Sequence, residues 1–167
     1  IELGCISTGE ANHYTKIQSD LERGRSCKFN RATRSYGEAV DIERTFWEKA
    51  TLIHVASVKG QRYWEVHARH WYDLIRIVES KHGERCIADQ DSAQSVVEFE
   101  SWFYSEKSVD YKDAITGKIR IVPTGDIQSA LKPDYVGLAG MFERDLYVFD
   151  ILIDKCKQMD KTSEEWN

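Results

Sequence analysis

The stretch RTFWEKATLIHVASV, residues 44–58, carries the clearest helical pattern in the chain. Phe46, Ala50 and Ile53 follow one another at intervals of four and three residues, which is the spacing of one face of an α-helix. Gly60 follows shortly after, and glycine is common just beyond the last turn of a helix. We therefore predict a helix over residues 44–58 with an apolar face toward the core.

Four further segments carry helical patterns and make the chain mainly helical. A second helix is predicted over residues 64–80, ending at Gly83, and a third over residues 91–105 with Asp91 or Ser92 as its N-cap. The remaining predicted elements are a helix over 124–143 bent at Pro133, a helix over 148–165, and short strands over 1–6, 39–42 and 118–123.

The predicted fold class is mainly α (α+β), a helix bundle with one or two short strand segments. Residues 7–38 are polar and read as irregular, with one helix over residues 17–29. The core face of the third helix is expected to comprise Val96, Val97, Phe99, Trp102 and Phe103.

The composition is that of an ordinary globular protein. With 41% hydrophobic and 31% charged residues, 167 residues are enough for one domain with a real core. A net charge of −5 argues against general coating of nucleic acid. No apolar run approaches the roughly 20 residues that span a bilayer, so we expect no membrane partner. The four cysteines form no C-x-x-C pair, and a reduced, cytoplasmic setting is expected.

A lysine and an aspartate occur among aromatic residues on the first two predicted helices. Lys49 lies in the first helix, and Asp73 lies in the second, next to Trp71 and Tyr72. Two helices joined by a tight connection pack antiparallel, so the two charges could face one another. The pair then has two interpretations, part of a phosphate-binding site or a plain interhelical salt bridge.

Arg69 and His70 precede Asp73 by one helical turn, so the three side chains are neighbours on the helix surface. They form either a surface ion-pair ladder of little energetic value or the polar part of a site. His67 extends the pattern to H-x-x-H-x-x-D. These side chains fan across about 120° of a helix, which opposes convergence on one metal ion.

Five basic residues and no acidic residue lie between residues 23 and 34. Such a run is either a solvated surface or a contact for a phosphate-rich partner such as RNA. Its members are Arg23, Arg25, Lys28, Arg31 and Arg34.

The chain opens with Ile1-Glu2-Leu3-Gly4, which is typical of a strand entered midway. We therefore expect the chain to be part of a longer protein. A strand carboxylate is what two-metal phosphoryl- and nucleotidyl-transfer sites use to hold Mg²⁺, so Glu2 is a candidate metal ligand. None of the predicted strands carries a D-x-D pair, and the chain has no Walker A loop.

The motif ERTFWEKA at residues 43–50, with RHWYDL at residues 69–74, closely resembles the AbiEii/AbiGii-type nucleotidyltransferase toxins of bacterial abortive-infection and toxin–antitoxin systems. The opening strand and the tail, including residues 131–135, also look like that family. The resemblance implies that residues 1–42 are the end of the nucleotidyltransferase domain and its connecting segment. Residues 43–167 would be the C-terminal helical domain.

The resemblance implies Lys49 and Asp73 as catalytic residues, with Lys49, Arg69 and His70 binding the nucleotide phosphates. Arg69-His70 stands where many members carry Lys-Asp. The implied reaction transfers a nucleotide from an NTP such as GTP to a hydroxyl on RNA such as tRNA, with Mg²⁺ held in part by Glu2. A cognate antitoxin is an expected partner.

The resemblance also implies an N-terminal domain in which a D-x-D pair binds metal and nucleotide. Because none of the predicted strands carries such a pair, the chain alone is expected to be inactive. The alternative is a non-catalytic helical domain that docks an antitoxin or RNA. In that case Lys49 and Asp73 would form a structural pair.

Overall fold

The computed structural model describes residues 12–17, 35–60, 67–104, 109–140 and 146–163. Its contacts divide the chain into two compact units, Ile1–Asp41 and Ile42–Asn167. The predicted strand over residues 1–6 lies outside the described residues. The predicted helix over residues 17–29 lies there too, except for its first residue.

The first unit contains a two-stranded antiparallel sheet. Strand β1 (Asn12–Ile17) pairs with β2 (Ser35–Val40), and the register runs from Asn12 opposite Val40 to Ile17 opposite Ser35. Reading residues 7–38 as irregular was wrong for β1 and for the start of β2. The pairing joins segments distant in sequence, which short-range patterns do not reveal.

The first predicted helix is confirmed as α1, Ile42–Lys59. It begins two residues earlier than predicted, so the strand expected over residues 39–42 stops at Val40. Phe46, Ala50 and Ile53 are completely buried, as the spacing indicated. Gly60 follows with φ of 76°, a left-handed conformation that glycine adopts at little cost at a helix end.

The second predicted helix is observed as α2, Arg69–Val78. The expectation that Gly83 ends it was wrong, because Gly83 begins a further helix, α3 (Gly83–Ala88). A Cβ atom on Gly83 would lie only 2.0 Å from the carbonyl oxygen of Val78. This glycine is therefore needed for the close approach between the two helices rather than for a helix end.

Helix α4 covers Gln90–Phe103, and its N-cap is Asp89, whose side chain accepts a hydrogen bond from the Ser92 amide at 3.0 Å. The prediction of Asp91 or Ser92 as the cap was therefore wrong by two or three residues. Two of the predicted core residues are also corrected. Trp102 is 84% exposed and Phe103 is 53% exposed, because the last turn of α4 extends beyond the packed part of the helix.

The segment 118–123 is not a strand paired in a sheet, which corrects the prediction. Ile119 and Ile121 are buried. The amide of Ile121 donates to Asp160 at 2.9 Å, and its carbonyl accepts from the indole of Trp71 at 2.8 Å. Side chains thus take the place of a neighbouring strand as hydrogen-bond partners.

The remaining described elements are helical. A 3₁₀ turn covers Tyr111–Ala114, and α5 covers Gly125–Gly137 with Pro133 inside it. A second 3₁₀ turn, Leu138–Gly140, follows α5, and α6 covers Phe149–Thr162. Helix α1 packs against α2, α3 and α4, and α2 also packs against α6. The predicted fold class, mainly helical with short strand segments, is confirmed.

Candidate functional site

The structure brings Lys49 and Asp73 together across the interface of α1 and α2. The Lys49 ammonium nitrogen donates to Asp73 Oδ2 at 2.9 Å. The lysine side chain is 19% exposed and the aspartate side chain 36% exposed. The pair therefore lies at the border of the core, with the lysine more shielded from water than the aspartate.

Two buried tryptophans fix the rotation of the helices that carry this pair. Trp47 and Trp71 each precede a member of the pair by two residues. The indole of Trp47 donates to the carbonyl of Cys86 at 2.9 Å, and that of Trp71 donates to the carbonyl of Ile121 at 2.8 Å. Residues two apart point about 200° apart around a helix, so burying the indoles turns Lys49 and Asp73 toward the edge of the core.

His70 lies partly buried beside the pair, and its Nδ1 is the unusual atom of the site. Among the described residues, this buried nitrogen has no hydrogen-bond partner. An unsatisfied buried polar atom typically costs about 1–3 kcal/mol, so it is uncommon in a folded protein. The His70 ring also lies 6.5 Å, centroid to centroid, from that of His67.

The electrostatic surroundings keep His70 neutral. Burial, followed by the positive charges of Lys49 and Arg69, lowers the pKa of His70 to about 4. The carboxylate of Asp73 acts in the opposite direction but does not compensate. At neutral pH the imidazole therefore offers one donor and one acceptor nitrogen rather than a positive charge.

Asp134 joins the site from α5 and was not anticipated as a site residue. Its Oδ2 accepts a hydrogen bond from the amide of Ala68 at 2.6 Å and lies 3.8 Å from Nδ1 of His67. Ala68 is the residue before α2, and its own side chain provides no cap. The tail motif at residues 131–135 contained Asp134, but no spacing rule links it to a residue 66 positions away.

The described residues do not form a metal site. Among them, no group of three or more His, Cys, Asp or Glu side chains is placed to hold an ion. The carboxylate of Asp73 is already paired with the ammonium group of Lys49. The predicted metal ligand Glu2 lies outside the described residues, as do the five basic residues proposed for RNA. No helix in the described part of the chain is long and apolar enough to cross a membrane.

The helical part of the chain also matches a known family in sequence. A sequence model of the family described as nucleotidyl transferase AbiEii toxin, type IV toxin–antitoxin system, matches residues 38–155, well over half of the chain. The chain belongs to this family, which implies an antitoxin partner. The match includes Lys49, Asp73 and Asp134. Comparison with curated proteins and with solved structures gave no match.

Proposed function

We propose that this chain is the helical part of a nucleotidyltransferase toxin, in which Lys49 and Asp73 form the catalytic pair. The complete toxin transfers a nucleotide from an NTP such as GTP to a hydroxyl acceptor on RNA, such as tRNA, in the cytoplasm. The observation that supports this most directly is the contact between the two side chains at 2.9 Å, in a segment that the family match covers.

Lys49 contributes positive charge to the triphosphate. When the bond between the α-phosphorus and the pyrophosphate oxygen breaks, negative charge moves onto the leaving pyrophosphate, and a fixed ammonium stabilises that charge. Arg69 lies one turn before Asp73 on α2 and adds a second cation beside the phosphates.

Asp73 holds Lys49 in place and accepts the proton of the attacking hydroxyl. The hydroxyl oxygen forms a bond to the α-phosphorus, pyrophosphate leaves, and the proton passes to the carboxylate. Asp73 is the carboxylate within hydrogen-bond distance of Lys49, so a single contact orients both groups. The described residues do not form a site for Mg²⁺.

Growth inhibition in a bacterial host tests the proposal. With the protein expressed from its complete gene, Lys49→Ala and Asp73→Ala are each expected to abolish inhibition, because each removes a group needed in the transition state. Lys157→Ala is the matched control. Lys157 also forms a lysine–aspartate ion pair, with Asp154 at 2.8 Å, but that pair is on the exposed surface of α6.

A charge-swapped variant separates catalysis from structure. Lys49→Asp combined with Asp73→Lys keeps an ion pair between α1 and α2 but exchanges the positions of the ammonium and the carboxylate. A folded swap variant without toxicity supports the catalytic assignment. If the swap restores toxicity that the single alanine variants lack, the pair is structural and the non-catalytic docking domain is the better interpretation.

A further inference from the structure

We propose that one face of the two-stranded sheet in the first unit binds single-stranded RNA, with bases stacked on Tyr14 and Tyr36. This surface involves neither Lys49 nor Asp73 and adds a second binding site to the proposed function. The aromatic and basic side chains around the sheet favour a single strand of nucleic acid. We take that strand to be RNA because the acceptor in the proposed function is RNA.

The strand register places the two tyrosines on the same face of the sheet. Tyr14 on β1 lies opposite Glu38, and Tyr36 on β2 lies opposite Lys16. Residues opposite each other share a face, and so do residues two apart along a strand, so all four side chains point the same way. The two tyrosines are diagonal neighbours across the strands, about 7–8 Å apart. Neighbouring unpaired bases of one strand can therefore stack on the two rings.

The face that carries the tyrosines is open to water, whereas the opposite face is covered in part. Tyr14 is 73% exposed and Tyr36 is 61% exposed, and Val40 on the same face is 46% exposed. Thr15 and Ala39 on the opposite face are half-buried. Two strands alone form a sheet of marginal stability, and exposed apolar surface on a folded protein commonly marks a binding site. The tyrosine face is therefore a candidate surface for a partner.

The charges near the tyrosines fit a phosphate-rich partner. Lys16 lies on the same face, and the segment that connects β1 to β2, residues 18–34, contains five basic and two acidic residues. Aromatic rings combined with basic side chains are typical of proteins that bind single strands, because the rings stack on bases and the cations contact phosphates. The carboxylate of Glu38, between the two rings, can accept a hydrogen bond from a base amino group.

Fluorescence anisotropy of a labelled single-stranded RNA oligonucleotide, titrated with the protein from its complete gene, tests the inference. We expect Tyr14→Thr and Tyr36→Thr each to weaken binding by about fivefold to a hundredfold, the usual loss when a stacked base loses its aromatic partner. Threonine keeps a high preference for strands, so the sheet should be retained. Tyr14→Phe and Tyr36→Phe keep the ring and should bind like the native protein.

Tyr104→Thr is the matched control, because Tyr104 is also exposed but lies at the end of α4 in the second unit. It should leave the affinity for RNA unchanged. The native protein should also bind the single strand more tightly than the same RNA annealed to its complement, whose bases already stack on one another. This comparison does not depend on the folding of any variant.

Equal affinity of the native protein for single-stranded and duplex RNA would overturn the inference, as would native affinity in both threonine variants. Threonine variants that lose stability but keep the native affinity for RNA would show that the tyrosine face packs against protein instead. The proposed function is tested apart from this, because Lys49→Ala should lose growth inhibition but keep the affinity for RNA. Growth inhibition by Lys49→Ala would overturn the proposed function alone.

Discussion

His54 shows how a single buried side chain connects segments that are distant in sequence. It lies on α1 and is 1% exposed. Its Nδ1 accepts a hydrogen bond from the amide of Arg120 at 3.0 Å, and a backbone hydrogen bond links it to Asp110. The side chain therefore connects the first helix to the loops at residues 110 and 120.

We expect His54→Leu to destabilise the fold by about 1–3 kcal/mol, because it leaves the buried amide of Arg120 without an acceptor. The measurement is urea unfolding at mildly alkaline pH, where the native imidazole is neutral. His54→Asn, which can keep an acceptor near Nδ1, should be less destabilised than His54→Leu. Equal losses in the two variants would show that packing, and not the hydrogen bond, is the main contribution.

At the scale of elements, the start of α2 depends on a carboxylate supplied by α5. Asp134 accepts from the amide of Ala68, and a negative charge at the N-terminus of a helix also interacts favourably with the helix dipole. This contact positions the first turn of α2, which carries Arg69 and His70. The element that holds the polar side chains of the site is thus fixed by a helix far along the chain.

Asp134→Ala should therefore lower stability by about 1 kcal/mol, the usual cost of losing a helix cap. Hydrogen exchange of the Ala68 and Arg69 amides should also accelerate, because the first turn frays before the rest of α2. Asp154→Ala, on the exposed face of α6, serves as the comparison and should change neither quantity. Unchanged exchange at Ala68 in Asp134→Ala would contradict a capping role.

How far the elements could be predicted depended on the range of the interactions that form them. Helix α1 was predicted almost completely, because its periodic pattern is local and is satisfied by a well-buried face. Helix α3 was missed because six residues are too few to show a period. The segment around Ile121 was taken for a strand because its hydrogen bonds to Asp160 and Trp71 cannot be read from an alternating pattern.

The residues of the candidate site could likewise be predicted only where a local sequence pattern places them. Lys49 and Asp73 could be placed opposite each other from the sequence, because each lies on an amphipathic helix and consecutive helices pack antiparallel. Their catalytic role stays a prediction. The contact of Asp134 with Ala68 could not be predicted, since it depends on how α5 returns to α2. The unpaired Nδ1 of His70 is likewise a property of packing that spacing does not reveal.

At the scale of the whole molecule, buried titratable groups have opposite effects on how the stability of the fold depends on pH. Burial lowers the pKa of His54, and it lowers that of His70 to about 4. Burial together with the nearby carboxylate of Glu48 raises the pKa of Glu100 to about 7. Burial acts to raise the pKa of Glu79, but its hydrogen bonds to Lys155 and Tyr147, together with the charges of Lys155 and Arg76, lower it overall.

The signs follow from proton binding in the two states. Between about 4 and 6.5, the unfolded chain protonates His70 and the folded protein does not, so this group makes stability increase with pH. Between 4.5 and about 7, the folded protein holds a proton on Glu100 that the unfolded chain has lost, so this group makes stability decrease with pH. In the shared interval the two contributions cancel in part.

Replacing His70 and replacing Glu100 should therefore change the pH dependence of the free energy of unfolding in opposite directions. In His70→Leu, the free energy of unfolding should increase less steeply with pH between about 4.5 and 6.5, because up to one proton, worth about 1.4 kcal/mol per pH unit, no longer binds on unfolding. In Glu100→Gln it should increase more steeply and reach a higher value above neutral pH, where the native protein carries the cost of a buried carboxylate. Urea unfolding across this interval measures both slopes. Parallel curves for the native protein and Glu100→Gln would show that Glu100 titrates alike in the folded and unfolded chain.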